Sequence, residues 1–321
     1  MLLEKPSMNT VQFKAAFQRM WEEAQQEVLF QSVDISRLLE VHPSQIPICP
    51  TSFVLSFVPS TKLERSRKMI SDAILNTGTT IHRVVQDYLS KSPNAFGNFV
   101  CHECGEIFQL TTSKEVCPNG CGAPLFYEEV PISYKGFAGH VDFMVKIKDE
   151  IWLVDFKTSS GFSIDKKVKN TPSNYDLQTL AYALLLRLQY KIKVKGRAIA
   201  YISRDNPSVM KIGGCKKITT KDLKYIHGLL LEQRDLLKFL RDCHSYEEFM
   251  DNVGIQRCSN PYCSVCGKAY SDEDLQKLLQ QKFDTFNGKC IRDFVNEAQA
   301  EQGKTNKVID NFIDMCKGDR K

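Results

Sequence analysis

Two apolar runs near the middle of the chain, GHVDFMVKI (139–147) and IWLVDFKTS (151–159), alternate with a period of two and are separated by Lys148, Asp149 and Glu150. The pattern predicts two antiparallel strands joined by a tight turn. A turn centred between Lys148 and Asp149 sets Asp142 opposite Asp155. It places Val141, Phe143, Val145, Trp152, Val154 and Phe156 on one apolar face, the expected core side. Asp142, Asp155 and Lys157 fall on the other face.

Elsewhere the periodicity is mostly helical. Residues 10–40 read as helix and stop before the prolyl turn HPSQIP, and residues 62–91 read as a second helix, basic early (KLERSRK) and apolar later (IHRVVQDYL). FYEEVPISYKG (126–136) and RAIAYIS (197–203) have strand patterns, while 173–190 and 219–241 are helical. The tail, 270–321, looks helical and polar. Strands interleaved with long helices give an α/β fold class. The expected divisions are a helical N-terminal region (1–44), a core (45–267) carrying a cysteine-rich insertion (99–126), and a helical tail (268–321).

Composition changes this picture only modestly. Charged residues make up 25% of the 321 positions, which suits a globular chain, and the net charge of +5 permits a nucleic-acid partner without requiring one. No apolar run approaches the roughly 20 residues of a membrane span, and MLLEKPSMNT lacks a signal peptide's apolar stretch. A cytosolic protein is expected. In a reducing compartment, 12 cysteines read better as metal ligands than as disulfides.

The acids on the hairpin set a chemical problem. Like charges directly opposed on paired strands repel, and a single lysine is a poor clamp for two carboxylates. A divalent cation answers it, since Mg²⁺ takes one or two carboxylates from protein. The bland alternative is a solvated polar face with incidental acids.

Cys101-x2-Cys104, twelve residues, then Cys117-x3-Cys121 has the form of a zinc ribbon with two knuckles, suited to tetrahedral Zn²⁺. In so small a module the metal supplies most of the stability. A structural staple is the first reading, and DNA or protein contact the second. Cys258-x4-Cys263-x2-Cys266 is a second cluster, while Cys215, Cys243, Cys290 and Cys316 find no partners by spacing.

Taken together, Gly78-x3-His82, Glu129, Gly139-His140-Val141-Asp142, Asp155-Phe156-Lys157 and Gln178-x3-Tyr182 resemble, in order, the PD-(D/E)XK nucleases. Within these they resemble the RecB-like branch, which includes the CRISPR-adaptation nucleases and many phage exonucleases. The resemblance implies a restriction-endonuclease-like core, a mixed central sheet flanked by helices, interrupted by the ribbon. It implies that Asp142 and Asp155, with the Phe156 carbonyl and His82, ligate Mg²⁺ or Mn²⁺. Lys157 would orient or deprotonate the attacking water, and Glu129 matches an acidic position ahead of the strand. Gln178 and Tyr182 would contact DNA or brace the site. Cys49, in IPICPTSF, resembles the early cysteine that joins three late ones around a [4Fe–4S] cluster in some members. Cys258, Cys263 and Cys266 would be its partners here, although their spacing departs from that pattern and four thiolates could equally hold zinc.

The function implied is a metal-dependent deoxyribonuclease in replication, recombination or repair, in a bacterial cytoplasm or a phage-infected host. An exonuclease or end-processing enzyme acting on single strands or duplex ends comes first. A structure-selective endonuclease and a non-catalytic nucleic-acid-binding adaptor remain as alternatives. A protein partner could dock through the ribbon or the tail.

Overall fold

A computed structural model describes residues 10–26, 28–32, 40–45, 50–57, 64–114, 116–257, 270–284, 288–293, 295–297 and 300. In chain order the first elements are α1 (Thr10–Gln26), β1 (Val28–Ser32), α2 (Pro50–Phe57), β2 (Glu64–Lys68) and α3 (Met69–Leu89). Then follow β3 (Ala95–Cys101), β4 (Ile107–Thr112), β5 (Leu125–Glu128), β6 (Val130–Tyr134), β7 (Phe137–Val141), β8 (Phe143–Ile147) and β9 (Glu150–Ser159). The remainder is α4 (Gly161–Lys169), α5 (Ser173–Tyr190), β10 (Val194–Ser203), β11 (Met210–Lys217), α6 (Thr220–Asp242), α7 (Tyr246–Asn252) and α8 (Asp272–Asp284).

The central sheet has seven strands in the order β11-β10-β9-β8-β3-β4, with β5 also paired to β3. Among its described strands only β9 and β10 run parallel; the other pairs are antiparallel. A parallel pair needs a crossover, and α4 and α5 provide it. The sheet is thus mixed and flanked by helices, as the α/β reading expects.

The β8–β9 hairpin forms in the expected register, with Ile147 opposite Glu150 and Phe143 opposite Val154. Lys148 takes a left-handed conformation (φ 55°) in its two-residue turn.

Both faces of this hairpin are covered, however. On one side Phe143 and Phe156 pack with Ile81 and Val85 of α3 and with Ala200 and Ile202 of β10. On the other, Met144 and Leu153 join the large core built with Leu180, Leu184 and Leu185 of α5 and Ile226 and Leu230 of α6. The face expected to be polar is therefore a second core face, with Asp155 only 2% exposed. The parallel neighbour explains this: a strand inside a helix-covered sheet is buried on both sides.

Four stretches differ from the local pattern. Residues 28–32 and 64–68, read as helix, form an antiparallel strand pair, a long-range contact that helical periodicity cannot announce. The strand expected through 139–147 breaks at Asp142: β7 pairs with β6 in a small separate sheet, whereas β8 belongs to the central one. The strand expected through 126–136 likewise breaks at Glu129. The cysteine-rich insertion joins the central sheet, because β3, β4 and β5 extend that sheet through the β3–β8 pairing. The tail is helical over Asp272–Asp284, and residues 301–321 lie outside the described residues.

Candidate active site

The two acids sit differently on their strands. Asp142 occupies the break between β7 and β8, one step beyond the Phe143–Val154 pair. It is freed from the ladder, and its Oδ2 accepts a hydrogen bond from the Phe156 backbone N–H at 2.8 Å. Asp155 lies within β9, and its Oδ2 meets Lys157 Nζ at 2.7 Å. Its Oδ1 is buried without a hydrogen-bond partner. The Lys157 ammonium also lies over the Tyr175 ring, 5.1 Å from its centre.

The electrostatics follow from this crowding. Burial, then the Asp155 charge, hold the Asp142 carboxyl well above the ordinary carboxylate range. Burial raises Asp155 as well, with Lys157 working against the rise. Burial disfavours the Lys157 cation, but the charges of Asp155 and Asp142 outweigh it and hold its pKa above the usual lysine value. The pocket is thus short of positive charge.

Helix α3 brings a nitrogen to the other side of β9. Gly78 permits the approach, since a Cβ there would lie 3.1 Å from Thr158 Oγ1. One turn on, His82 packs edge-on against Phe156, ring centroids 5.8 Å apart. Burial, then the Lys157 charge, lower its pKa to about 4, so the imidazole is neutral at physiological pH, and its buried Nε2 has no partner. One further turn on, Gln86 Nε2 donates to Glu129 Oε1 at 2.9 Å and to the Asp142 carbonyl at 2.8 Å.

Gln178 and Tyr182 are both buried on α5. The Gln178 side chain and the His140 backbone reach the Tyr182 hydroxyl. A Cβ on Gly139 would come within 2.9 Å of that hydroxyl, so only glycine lets β7 lie so close.

The structure therefore gathers Asp142, Asp155 and Lys157, with Glu129 held at the margin by Gln86. His82 approaches on the Phe156 side of the strand. Among the described residues, the ligand atoms of His82, Asp142 and Asp155 do not converge within 4.8 Å of one another as the four cysteines do. Gln86 was missed in the sequence, although Gly78, His82 and Gln86 recur at i, i+4 and i+8, one helical stripe. Tyr175 carried no signal at all.

Residues 106–269 match the model of the PD-(D/E)XK nuclease superfamily. The chain belongs to that superfamily. The matched segment contains Glu129, Asp142, Asp155, Lys157, Gln178 and Tyr182 and begins after Gly78 and His82. No individual curated protein matches the chain. Superfamily members are typically nucleases that use Mg²⁺ or Mn²⁺, and the donor set here fits such an ion. Two carboxylates, Asp155 buried and Asp142 half-buried, face each other without enough countercharge, with one Asp155 oxygen unpaired, and hard cations prefer oxygen ligands.

The sulfurs of Cys101, Cys104, Cys117 and Cys121 lie within 4.8 Å of one another, all as free thiols. Cys101 at the end of β3 is 3.4 Å from Cys121, and Cys104 is 3.8 Å from Cys117. The Cys104 backbone N–H pulls the Cys101 thiol down to about 7, whereas burial pushes Cys117 up to about 12. The group can bind a metal ion. Cys49, Cys258, Cys263 and Cys266 lie outside the described residues. No described helix is long and apolar enough to cross a membrane.

A cleft of about 930 Å³ runs from His82, Gln86 and Glu129 to His102 and Phe126 beside the cysteines. At its far end the His102 imidazole stacks on the Phe126 ring at 4.5 Å.

Proposed function

We propose that this chain is a divalent-metal-dependent deoxyribonuclease, acting as an exonuclease or end-processing enzyme on single strands or duplex ends in replication, recombination or repair. The observation that carries the reading is the convergence of Asp142, Asp155 and Lys157 in a largely desolvated cluster deficient in positive charge. Asp142, Asp155 and the Phe156 carbonyl would hold Mg²⁺ or Mn²⁺, and neutral His82 is the nitrogen donor on offer. The bound cation would polarise the phosphoryl oxygens and make attack by water easier.

The protein's own groups have separate tasks. The Phe156 N–H fixes the Asp142 carboxylate, so the acid need not reorganise when its charge is used. Lys157 orients the attacking water and carries positive charge to the phosphate, with its pKa kept high by the two acids. Glu129, held by Gln86, is a proton acceptor at the margin. Gln178 and Tyr182 are buried, which favours bracing of β7 over contact with DNA.

The cleft of about 930 Å³ adjoins this site through His82, Gln86 and Glu129 and offers a path for a nucleic-acid strand beside it. The four cysteines of the ribbon would hold Zn²⁺ as a staple. For Cys49, Cys258, Cys263 and Cys266 an iron–sulfur cluster is preferred to a second zinc. The setting would be a bacterial or phage-infected cytoplasm.

The test is a digestion time course on 5′- and 3′-labelled single-stranded and duplex DNA with Mg²⁺ or Mn²⁺, comparing the natural chain with Lys157→Ala. Metal-dependent trimming from one end, lost in the variant, supports the reading. Internal cuts at branches would favour a structure-selective endonuclease. DNA binding with equal, negligible cleavage by both proteins would favour a non-catalytic adaptor.

A further inference from the structure

Cys290 has no partner by spacing, yet the fold supplies two. A ring nitrogen of His244, the Cys290 sulfur and a carboxylate oxygen of Asp293 all lie within 4.8 Å of one another. His244 stands at the corner between α6 and α7, and the other two come from a segment more than forty positions further along the chain. That segment is firmly seated. Ile291 and Val295 are each 3% exposed against the main core, and Arg292 pairs with Asp242 at the end of α6 at 2.9 Å.

The donor arrangement fits a metal ion. His244 Nδ1 is 3.3 Å from the Gly288 carbonyl. With its proton on Nδ1, donated to that carbonyl, the imidazole keeps its lone pair on Nε2. Metal-ligating histidines are commonly oriented by such a second bond. The His244 backbone is fixed in turn by donating to Glu248 Oε2 at 2.9 Å. Asp293 Oδ2 accepts from the Cys290 N–H at 3.2 Å and from its thiol at 3.3 Å. The other carboxylate oxygen has neither of these bonds. One thiolate, one imidazole and one carboxylate are the usual zinc donors, and three protein ligands leave a fourth position for water.

We propose that His244, Cys290 and Asp293 bind a zinc-class divalent cation that fastens the C-terminal segment to the α6–α7 corner. On binding, the Cys290 thiol gives its proton to solvent, and the sulfur–metal bond replaces the S–H···O contact with Asp293. No redox step is involved. The site is independent of the nuclease reading, since none of its residues belongs to the pocket of Asp142 and Asp155.

The test is equilibrium dialysis of the untagged full chain against Zn²⁺, with bound zinc counted per chain. His244→Ala, at an exposed position, and Asp293→Asn are each expected to hold one zinc fewer than the natural chain. Cys101→Ser is expected to keep this zinc while losing the one at the ribbon. In Co²⁺-loaded protein, His244→Ala and Cys290→Ser should lose the same component of the visible spectrum. Chelation should also speed proteolytic release of the C-terminal segment in the natural chain and have no added effect in His244→Ala. Equal zinc in the natural chain, His244→Ala and Asp293→Asn, or a cobalt spectrum unchanged by both substitutions, would overturn the proposal.

Discussion

The backbone N–H of Phe156 donates to Asp142 Oδ2 at 2.8 Å, tying the acid of one strand to the middle of the Asp155-Phe156-Lys157 triplet on the next. Because β7 leaves the central sheet at Asp142, that side chain takes the place of a ladder carbonyl. The positions of both acids are therefore fixed by main chain, which is less yielding than a pair of side chains.

Replacing Lys157 by alanine should lower metal-dependent cleavage by at least about 100-fold, the scale of a positioned proton-transfer group. DNA binding should persist, because the side chain is largely buried over Tyr175 and offers little to a phosphate backbone. Single-turnover cleavage beside fluorescence anisotropy separates the two effects. A variant that cleaves normally would remove Lys157 from the site.

The two raised acids make the metal-free pocket a source of instability. At 100 times its dissociation constant, a bound Mg²⁺ or Mn²⁺ should stabilise the natural chain by about 2.7 kcal/mol. Asp142→Asn keeps an oxygen for the Phe156 N–H but should melt at a metal-independent temperature. Thermal melts with and without the ion read the difference.

The pH dependence has opposite signs at two neighbouring groups. Asp142 is raised, so its penalty is absent below the ordinary value of 3.8, grows as pH rises, and is complete above the folded-state value. Any stability advantage of Asp142→Asn in the absence of metal should then be largest near neutrality and shrink on acidification. His82 is lowered from 6.5 to about 4, so its penalty is absent above 6.5 and grows as pH falls towards 4. His82→Gln should gain relative to the natural chain only across that interval. Parallel denaturant titrations from pH 4 to 7.5 would show both trends, and a common slope for all three proteins would contradict them.

Gly78→Ala should separate stability from activity. Alanine favours helix by up to about 1 kcal/mol over glycine, yet its Cβ would lie 3.1 Å from Thr158 Oγ1. The helix must shift or Thr158 must turn, displacing His82. Cleavage should fall by about tenfold, less than the loss expected for a full 1 Å misplacement, with the melting temperature steady or higher. Adding Thr158→Ala should restore cleavage; if it does not, the close approach is not what positions His82.

Gln86→Leu would leave Glu129 and the Asp142 carbonyl without their shared donor, costing about 1–3 kcal/mol for each group left buried and unpaired. Activity should fall together with stability. Gln86→Glu should be worse, because it sets a second carboxylate 2.9 Å from Glu129 Oε1. Urea melts and cleavage rates on the two variants would rank them.

The sequence by itself determined the parts whose causes are local. Alternation and a two-residue turn specified the β8–β9 register, and so the opposition of Asp142 and Asp155, because side-chain direction along a strand has a strict period of two. Knuckle spacing specified the four-cysteine group, because two short turns hold each pair of thiols close whatever surrounds them. The helices from 173 and 219 were legible from continuous periodicity. Tertiary structure alone decided the rest. The crossover to the parallel partner β10 laid α5, backed by α6, over the second face of β9 and turned an expected polar surface into a covered, charge-starved one. The strand pair β1–β2 replaced two stretches of helical pattern, and the switch of sheets at Asp142 released its side chain for the Phe156 N–H. Chain folding over more than forty residues also brought Cys290 and Asp293 to His244. Contacts of that kind depend on where elements dock, and no window of local periodicity contains that information.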